Sequence, residues 1–563
     1  MKQLFKSFFN IKLFSISKNS TLKVLILLAI IALPSFYRML RPGIYSTQDF
    51  HYFRLVEYSK CVRDLQIPCR WSPDSGLGYG EPIFNFYTQL PYALGEVFHL
   101  ATFSEIDSFK ILFILSLIGS AFTMYILSKK LWKGTFPALV SSIFYVYAPY
   151  RALDVWVRGA LPEALSFVLF PLILLKIDDF IEKEKLSDLL WFCLSLTLLV
   201  LTHNLSLVLF SPVLIIWIVY KLYLSKKWKL VKNILASVVL TGLMASFYIL
   251  PVIFESKYIT LGTTTQGYFD FRGHFATLYQ ILFSRFWGYG GSVFGPEDGL
   301  SLSVGLLHWI IPLVALGLFL IKKEKLAKYR DLLLLIIVGW FALFLTHNKS
   351  TMLWLIVPQA AYIQFPWRFL GIAVFCFSLA SGAIVNIFKK YSVVVAIMAI
   401  FTVVFLNGSF FREDIWYKVS DADLITGTRW QEQSAASIGD YWPKSGGNTP
   451  TKFAPNDPEH GELIERTSNT AVYKVYSLGD EIEFPITYFP GWIATTDGVR
   501  ISTYPGENGL VAVKIPPGEN LITLNFRNTP IRTLGNVVSL VTLTVFIYLI
   551  MGAKKKETKK HER

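Results

Sequence analysis

The stretch Tyr45–His51 reads Tyr-Ser-Thr-Gln-Asp-Phe-His and follows closely on the first long apolar segment of the chain, near residues 22–40. It therefore places Asp49 and His51 at the predicted surface of a membrane. Ionisable side chains are costly to hold in or beside a membrane span, so Asp49 is a candidate functional residue. The alternative interpretation is that Asp49 caps the helix that is predicted to follow it. The stretch by itself leaves both interpretations open.

The composition of the chain is that of an integral membrane protein. Of its 563 residues, 53% are hydrophobic and only 17% are charged, and the mean hydropathy is +0.46. These values are too apolar for a soluble protein. The net charge of +15 does not indicate a nucleic-acid partner, because Lys and Arg are concentrated in short segments between apolar runs. Such clusters encode membrane orientation, and a lipid bilayer is the expected partner.

Twelve apolar windows are long enough to cross a bilayer, which requires about 17–25 residues each. They lie near 22–40, 107–128, 134–150, 160–177, 187–203, 205–222, 231–254, 303–321, 331–346, 368–388, 392–411 and 533–552. With twelve spans, every cluster of Lys and Arg falls on the same side, from Lys2–Lys23 to Lys554–Arg563. By the positive-inside rule, we expect a multi-pass protein with both termini in the cytoplasm.

The predicted domains follow from these spans. Residues 1–411 form a transmembrane domain with an extracytoplasmic loop at 41–106, and residues 533–563 form the last helix and a basic cytoplasmic tail. In the later half of residues 412–532, hydrophobic and polar residues alternate, and turn sequences separate the runs. This pattern predicts a small extracytoplasmic β-sandwich. The expected fold class is therefore mainly α, a polytopic membrane protein with one β-sandwich domain before its last helix.

The loop 41–106 combines polar residues with aromatic and apolar ones. Its candidates for binding a sugar or a lipid phosphate, or for catalysis, are His51, Arg70, Glu81, Asn85 and Tyr87. The apolar run Leu90–Leu100 is too short to span, which favours an interfacial helix. The loop also contains Cys61 and Cys69, and the sequence leaves open whether they form a disulfide.

The short outer segment 151–159 is unusually charged. It contains Arg151, Asp154 and Arg158, and Glu163 lies at the mouth of the next span. Pairing of Arg158 with Glu163 is the simpler explanation, because charges inside membranes usually pair. An Arg that is held by a Glu can still donate to a phosphate, so Arg151 and Arg158 are also candidate phosphate ligands.

The tripeptide Thr-His-Asn occurs twice, at 202–204 and 346–348, each time at the predicted outer end of a span. An imidazole beside an amide is suited to binding a phosphate or to protonating a leaving oxygen, which makes His203, Asn204 and His347 candidates. Capping of the helix C-terminus by the Asn, with the His favoured there by the helix dipole, is the alternative explanation. Arg368 lies among aromatic residues at another outer end, where it is either an interfacial anchor or an anion ligand.

Together these motifs resemble two groups of proteins. An acid after the first span and the sequence Gly-Glu-Pro-Ile-Phe-Asn at 80–85 are similar to the GT-C superfamily of polyprenyl-phosphate-sugar-dependent glycosyltransferases. More narrowly, the chain resembles the bacterial membrane proteins of the 6-pyruvoyl-tetrahydropterin synthase-related family. This second resemblance rests on residues 70–71, 78–80, 84–87, 149–151, 157–159, 163, 202–204 and 365–368.

The resemblance to the superfamily implies an inverting glycosyl transfer at the outer face of the bacterial plasma membrane. The donor would be a sugar on polyprenyl phosphate, and the acceptor a glycan, lipid or protein of the cell envelope. Asp49 is implied as the general base, with basic residues holding the lipid phosphate that leaves. Asn85 departs from the superfamily pattern, since members that modify lipid A have an acid at about this position. The second carboxylate is then Glu81 or Glu163, or the site works with one.

Two other functions fit the sequence. A transporter or flippase of lipid-linked intermediates would use Asp49, Glu163 and the His residues as a relay. A non-catalytic scaffold would bind an envelope polymer through the outer domain. Transporter sites tend to lie at mid-membrane on broken helices, whereas the candidates here cluster at outer ends, which favours the enzyme. No cofactor is assigned, and a divalent cation, Mg²⁺ or Mn²⁺, is left open.

Overall fold

Apolar helices make up most of the chain up to residue 411. The computed structural model describes residues 18–436 and 441–561, apart from the side chains of 18–20, 262–263 and 554–561. The predicted orientation also depends on Lys2, Lys6 and Lys12, which lie outside the described residues, and on the basic C-terminal tail, whose side chains from residue 554 onward are not described.

Each of the eleven predicted apolar windows up to residue 411 contains an α-helix. The α-helices before residue 411 are Lys18–Phe36, His51–Arg63, Ile83–Phe86, Leu90–Leu100, Glu105–Trp132, Thr135–Val146, Pro149–Ala152, Leu161–Lys183, Leu186–Thr202, Asn204–Ser225, Val231–Met244, Ser246–Glu255, Leu278–Leu282, Leu306–Ile321, Arg330–Thr346, Thr351–Ile356, Phe369–Ser381, Ala383–Ile387 and Ser392–Asn407. The short helices Asp421–Leu424 and Gly427–Ala435 follow, and Pro530–His561 is the last helix of the described residues. The helix predicted at Leu90–Leu100 is confirmed with these bounds.

Six of the described helices are long and apolar enough to cross a membrane, or up to eight if each of two bent pairs is one span. The six are Thr21–Leu40, Glu105–Trp132, Asn204–Ser225, Pro366–Ile387, Lys389–Phe410 and Pro530–Ala553. The bent pairs, Trp228–Met244 with Ser246–Tyr258 and Arg330–Thr346 with Asn348–Ile356, turn by 75° and 91°. The protein is therefore a multi-span membrane protein.

The predicted number of twelve spans exceeds this count, because four predicted windows do not meet the same criteria. Thr135–Val146, Leu186–Thr202 and Leu306–Ile321 are apolar but shorter than the other spans. Leu161–Lys183 is long, but it contains several charged residues, among them Glu163 and Asp178. The twelve crossings stay a prediction.

The β-region lies before the last helix, as the sequence predicted. Its strands are β3 (Gly461–Arg466), β4 (Thr470–Ser477), β5 (Glu481–Thr487), β6 (Trp492–Thr496), β7 (Val499–Ile501), β8 (Thr503–Pro505), β9 (Leu510–Lys514) and β10 (Gly518–Phe526). They form a five-stranded sheet of order β3-β4-β10-β6-β7 and a three-stranded sheet of order β5-β9-β8. All pairings between these strands are antiparallel.

Both sheets contribute to one hydrophobic cluster. Tyr473 and Leu524 of the larger sheet and Phe484 and Val513 of the smaller one are fully buried in it. Trp71 belongs to the same cluster, and its ring is 5.3 Å from that of Trp492. The loop 41–106 thus forms part of the core of the β-region, which fixes the two segments against each other.

The segment that contains Asp49 is held on both sides. The strand β1 (Ile44–Tyr45) pairs antiparallel with β2 (Trp416–Tyr417), at the start of the block that leads to the β-region. On the other side, the N–H groups of Gln48 and Asp49 donate to the carbonyl oxygens of Val157 and Arg158, at 3.1 and 2.8 Å. These bonds place Asp49 directly beside the charged segment.

The loop 41–106 contains a disulfide between Cys61 and Cys69, whose Cα atoms are 5.5 Å apart. This bond ties the end of the helix His51–Arg63 to the residues just before Arg70. Cys193 and Cys376 are free and buried in the helical part.

Candidate functional site

Asp49 is not a helix cap in the structure. The helix after it begins at His51, Phe50 occupies the N-cap position, and no side chain caps the first turn. The Asp49 side chain is 41% exposed, and its nearest ionisable partner is His51, with Oδ2 3.8 Å from Nε2. In the described part of the chain, Asp49 forms no ion pair with Lys or Arg, so its carboxylate is open to a ligand.

His51 is buried beside Asp49 and is neutral at pH 7. Burial lowers the pKa of His51 well below its usual range, and the positive charge of Arg54 lowers it further. The Nδ1 atom is 2.7 Å from the hydroxyl oxygen of Tyr92, whose position fixes the ring. A neutral imidazole does not neutralise the Asp49 carboxylate by charge pairing.

Arg158 lies at the centre of a buried group of charges. Its Nη1 atom is 2.7 Å from Glu163 Oε2 and 3.0 Å from Asp154 Oδ1, which confirms the predicted pairing of Arg158 with Glu163. The other Glu163 oxygen accepts a hydrogen bond from the Tyr150 hydroxyl at 2.6 Å. Both oxygens of Glu163 are therefore occupied, which favours a positioning role for this carboxylate over the role of a base.

The local backbone explains how Arg158 reaches this position. Residues Leu153–Arg158 form a π-helical turn, which ends at Gly159 with φ +66°. A single π-turn widens the helix and redirects the side chains at its end. The left-handed conformation of Gly159 then reverses the chain into the helix Leu161–Lys183, so that Arg158 and Glu163 face each other.

Arg368 supplies a second guanidinium group. Unlike Arg158, it is not paired with a carboxylate of the described residues. Its Nη1 atom donates to the carbonyl oxygen of Ile363 at 2.7 Å and to Gln364 Oε1 at 3.1 Å. The guanidinium lies 4.8 Å from the centre of the Phe365 ring, and Arg158 lies 4.8 Å from that of Trp367. Among the described residues, Arg368 forms no ion pair within salt-bridge distance, so it retains its full charge for an anion.

Asp49 lies within electrostatic range of three cations and of one other carboxylate, that of Asp154. The cations are the guanidinium groups of Arg54, Arg158 and Arg368. His203 interacts with Glu163, Arg368 and Arg158, and its Nδ1 atom is 2.7 Å from Ser206 Oγ. The structure thus brings together five of the predicted candidates, Asp49, Arg158, Glu163, His203 and Arg368.

Tyr87 adjoins this group through a residue that the sequence interpretation missed. The guanidinium of Arg54 lies 4.4 Å from the centre of the Tyr87 ring, and Tyr87 interacts electrostatically with Asp49. Arg54 follows His51 by three residues on the same helix, and this spacing places two side chains on one face. This spacing was the signal in the sequence that could have identified Arg54. Tyr150 and Trp367 lie in motifs that carried the family resemblance, whereas Tyr92 had no signal beyond being an aromatic residue near selected ones.

Arg70 and Asn85 lie in a different buried network. Asn85 Nδ2 donates to Glu255 Oε2 at 2.7 Å, and Arg70 donates to Asn85, to the Phe247 carbonyl oxygen and to Asn536. Arg532 donates to the same Glu255 oxygen at 2.8 Å. The structure therefore gives these two residues structural partners, and it does not bring them into the group around Asp49.

Four other candidates also have local partners. Arg151 is fully buried and donates to Ala164, Ser116 and Ser120 inside the helical part. Glu81 is fully buried, and its backbone pairs with Ser72. Asn204 accepts from the N–H of Leu205 at the start of its helix. His347 Nδ1 accepts from the N–H of Lys349 and so caps the start of the 3-10 helix Asn348–Ser350, not the C-terminus of the preceding helix as the alternative explanation had it.

Within residues 18–436 and 441–561, no three or more His, Cys, Asp or Glu side chains form a group that could hold a metal ion. A divalent cation that also uses ligands from a substrate would need fewer protein groups. The use of Mg²⁺ or Mn²⁺ stays a prediction.

Comparison with known families identifies the chain at the level of its family. The model of the 6-pyruvoyl-tetrahydropterin synthase related domain, a membrane protein family, matches residues 84–415. The matched region includes Arg158, Glu163, His203 and Arg368, and it begins after Asp49. No curated protein matches the chain significantly. Because the match covers more than half of the sequence, the chain belongs to the 6-pyruvoyl-tetrahydropterin synthase related family of membrane proteins.

Proposed function

We propose that the protein is an inverting glycosyltransferase that moves a sugar from a polyprenyl-phosphate donor to a hydroxyl group of an extracytoplasmic acceptor. The acceptor is a glycan, lipid or protein of the cell envelope. The observation that carries this proposal is the contrast between two carboxylates. Glu163 has both oxygens occupied, by Arg158 and Tyr150, whereas the Asp49 carboxylate is partly exposed and, among the described residues, has no Lys or Arg within salt-bridge distance.

The proposed reaction uses Asp49 as the general base. Its carboxylate takes the proton of the acceptor hydroxyl while the hydroxyl oxygen forms a bond to the anomeric carbon of the sugar. The bond between that carbon and the phosphate oxygen breaks, and its electron pair leaves with the polyprenyl phosphate. Attack from the face opposite the leaving group inverts the anomeric configuration. General-base assistance of this kind contributes about 10²–10⁴-fold to the rate.

The leaving phosphate would be held by the cationic side of the group. Arg368 has no carboxylate partner among the described residues, and Arg158 keeps donors beyond the one nitrogen that meets Asp154 and Glu163. His203 lies within electrostatic range of both. Fixed donors around developing phosphate charge stabilise the transition state without reorganisation. In this proposal, Glu163 is a positioning residue, because it acts through Arg158.

The proposed architecture follows the same resemblance. We propose a GT-C-like transmembrane domain of twelve crossings in a bacterial plasma membrane, with both termini in the cytoplasm. The two sheets would form an extracytoplasmic β-sandwich. A helix within each of the twelve windows and the hydrophobic cluster shared by the two sheets support this arrangement. It places Asp49 and the β-region on the same side of the membrane.

One observation favours the alternative of a transporter for lipid-linked intermediates. Two helix pairs are bent sharply, at Ala245 and at His347, and discontinuous helices are common at transporter sites. The charged group around Arg158 does not include either break, which is why we favour the enzyme. A transporter would move the intact donor, whereas a glycosyltransferase would cleave it.

The test is therefore the fate of the donor. The purified full-length protein would be reconstituted in vesicles with a polyprenyl-phosphate sugar that carries labels in both the sugar and the lipid, together with an extract of envelope acceptor. We expect free polyprenyl phosphate and labelled acceptor with an inverted anomeric linkage. If the intact donor crosses the bilayer and no sugar is transferred, the protein is a transporter and the proposal is wrong.

A further inference from the structure

A cavity of about 460 Å³ lies away from the Asp49 group, between the ends of three helices. The helices are Leu306–Ile321, Ala383–Ile387 and Ser392–Asn407. Its lining includes Phe319, Lys322, Glu324, Phe388, Lys389 and Lys390. Cavities that bind small ligands typically measure about 300–1,000 Å³, so this one is large enough for a phosphate-bearing group.

The lining carries an excess of positive charge. Lys322 Nζ donates to the carbonyl oxygen of Ile387 at 3.1 Å, which holds its ammonium group at the cavity wall. Lys389 and Lys390 are exposed, and in the described part of the chain neither forms an ion pair. The only acidic side chain of the lining, Glu324, is paired with Lys328 outside it. The lining therefore combines three Lys residues with one carboxylate that is already paired, which gives it a net positive charge.

A helix N-terminus adds to this positive potential. The continuous helical segment Lys389–Phe410 begins at the lining residue Lys389 with a 3-10 turn, Lys389–Tyr391, which runs directly into the helix Ser392–Asn407. The first N–H groups of a helix lack partners within the helix, and the helix dipole gives this end a partial positive charge. An anion at such a position is bound by the N–H groups and by the dipole together.

The surroundings of the cavity are apolar. Phe319 and Phe388 line it, and the neighbouring side chains of Ile321 and Tyr391 are 76% and 56% exposed. Exposed apolar side chains at the ends of spanning helices are typical of the membrane interface. Basic pockets between spanning helices bind the headgroups of anionic lipids. We propose that this cavity binds a phosphate group. It lies on the side of the membrane opposite the predicted catalytic group, and the phosphate is that of an anionic phospholipid headgroup or is free phosphate.

The test compares two matched sets of substitutions in the full-length protein. One combines Lys322→Gln, Lys389→Gln and Lys390→Gln. The control combines Lys226→Gln, Lys323→Gln and Lys325→Gln, which removes three exposed Lys on the same predicted face that do not line the cavity. Each protein would be placed in nanodiscs of phosphatidylcholine with or without phosphatidylglycerol. Bound phosphatidylglycerol would be counted by native mass spectrometry, and inorganic phosphate would be titrated in a separate arm by its effect on the melting temperature.

We expect the wild type to retain phosphatidylglycerol in preference to phosphatidylcholine. In the cavity variant this preference should fall by about tenfold or more, because each Lys near an anionic surface contributes to the binding of anionic lipid. The control variant should keep it, and substitution of the three cavity residues by Arg should restore it. If inorganic phosphate raises the melting temperature of the wild type but not of the cavity variant, and phosphatidylglycerol does not bind selectively, the ligand is free phosphate. Equal losses in the two variants, or no response of the wild type to either ligand, would overturn the proposal.

Discussion

The main-chain N–H of Asp49 donates to the carbonyl oxygen of Arg158 at 2.8 Å, although the two residues belong to different segments of the sequence. A second bond, from Gln48 to Val157, lies beside it. The proposed base and the proposed phosphate ligand are thus joined through their backbones. A shift of the Asp49 segment would therefore change the distance between the proposed base and the proposed phosphate ligand.

This contact depends on Gly159. A Cβ atom at Gly159 would lie 2.5 Å from the Cβ of Thr47, and the residue has φ +66°. Gly159→Ala is expected to displace the Asp49 segment and to lower both glycosyl transfer and the melting temperature. Gly498→Ala is the matched control, because it has φ +76° with open space around the position and costs only about 1–2 kcal/mol of backbone strain. If the two variants lose equal amounts of activity, the contact between Thr47 and Gly159 does not position Asp49.

Asp49→Asn should reduce the rate of glycosyl transfer by about 10²–10⁴-fold, because the amide cannot accept the proton. Its size is nearly unchanged and it caps helices about as well as Asp, so the melting temperature should stay the same. Asp414→Asn, at an exposed carboxylate on the same predicted side, serves as the control. Turnover would be measured with the doubly labelled donor. Wild-type turnover of Asp49→Asn would move the search for the base to Glu81 or Glu163.

Substitution of the two Arg residues should have different consequences. Arg368→Gln removes a cation that has no carboxylate partner among the described residues, so we expect kcat/KM for the donor to fall by about 10–100-fold with little loss of stability. Arg158→Gln leaves Glu163 and Asp154 buried without their partner, which should also cost about 3–5 kcal/mol of unfolding free energy. Kinetics and thermal unfolding of both variants, with Arg412→Gln as an exposed control, check this difference. A large loss of stability in Arg368→Gln would assign that residue to the fold.

The buried ion pair between Glu255 and Arg532 should hold the helix Ser246–Glu255 to the last helix. Arg532 is fully buried, and it also donates to the carbonyl oxygen of Pro490. Removing either partner alone leaves a buried charge, which costs about 3–5 kcal/mol. The double variant Glu255→Gln with Arg532→Gln should therefore lose much less than the sum of the single losses, as measured by thermal unfolding. Additive losses would show that the two side chains do not stabilise the protein as a pair.

The stability of the protein should fall in mild acid because of His51. Burial lowers the pKa of its imidazole well below the usual range, so below about pH 6.5 the unfolded chain binds a proton that the folded protein does not. The free energy of unfolding then decreases by up to about 1.4 kcal/mol per pH unit as the pH falls further. His51→Gln should show a smaller decrease in melting temperature between about pH 7 and pH 5 than the wild type. An unchanged pH dependence would mean that His51 titrates alike in both states.

Local patterns in the sequence were sufficient to predict the membrane class, the helical windows and the strands before the last helix. Apolar length and alternation are properties of neighbouring residues, and they hold whatever the rest of the chain does. The pairing of Arg158 with Glu163 was predictable for a similar reason, since the two are five residues apart and a buried charge needs a partner. The presence of Asp49 beside them was a hypothesis from its membrane-edge position.

Only the tertiary structure decided which of the candidates meet. Arg70 and Asn85 were candidate binding residues in the sequence, as Arg158 was. In the structure they contact Asn536 and Glu255, which lie far along the chain. Arg54 was not selected, yet its helix turns it toward Asp49 and Tyr87. The pairing of β1 with β2, which holds the Asp49 segment in place, joins residues 44–45 to 416–417. Such contacts depend on how separate segments pack against each other, and no local pattern of residue types encodes that packing.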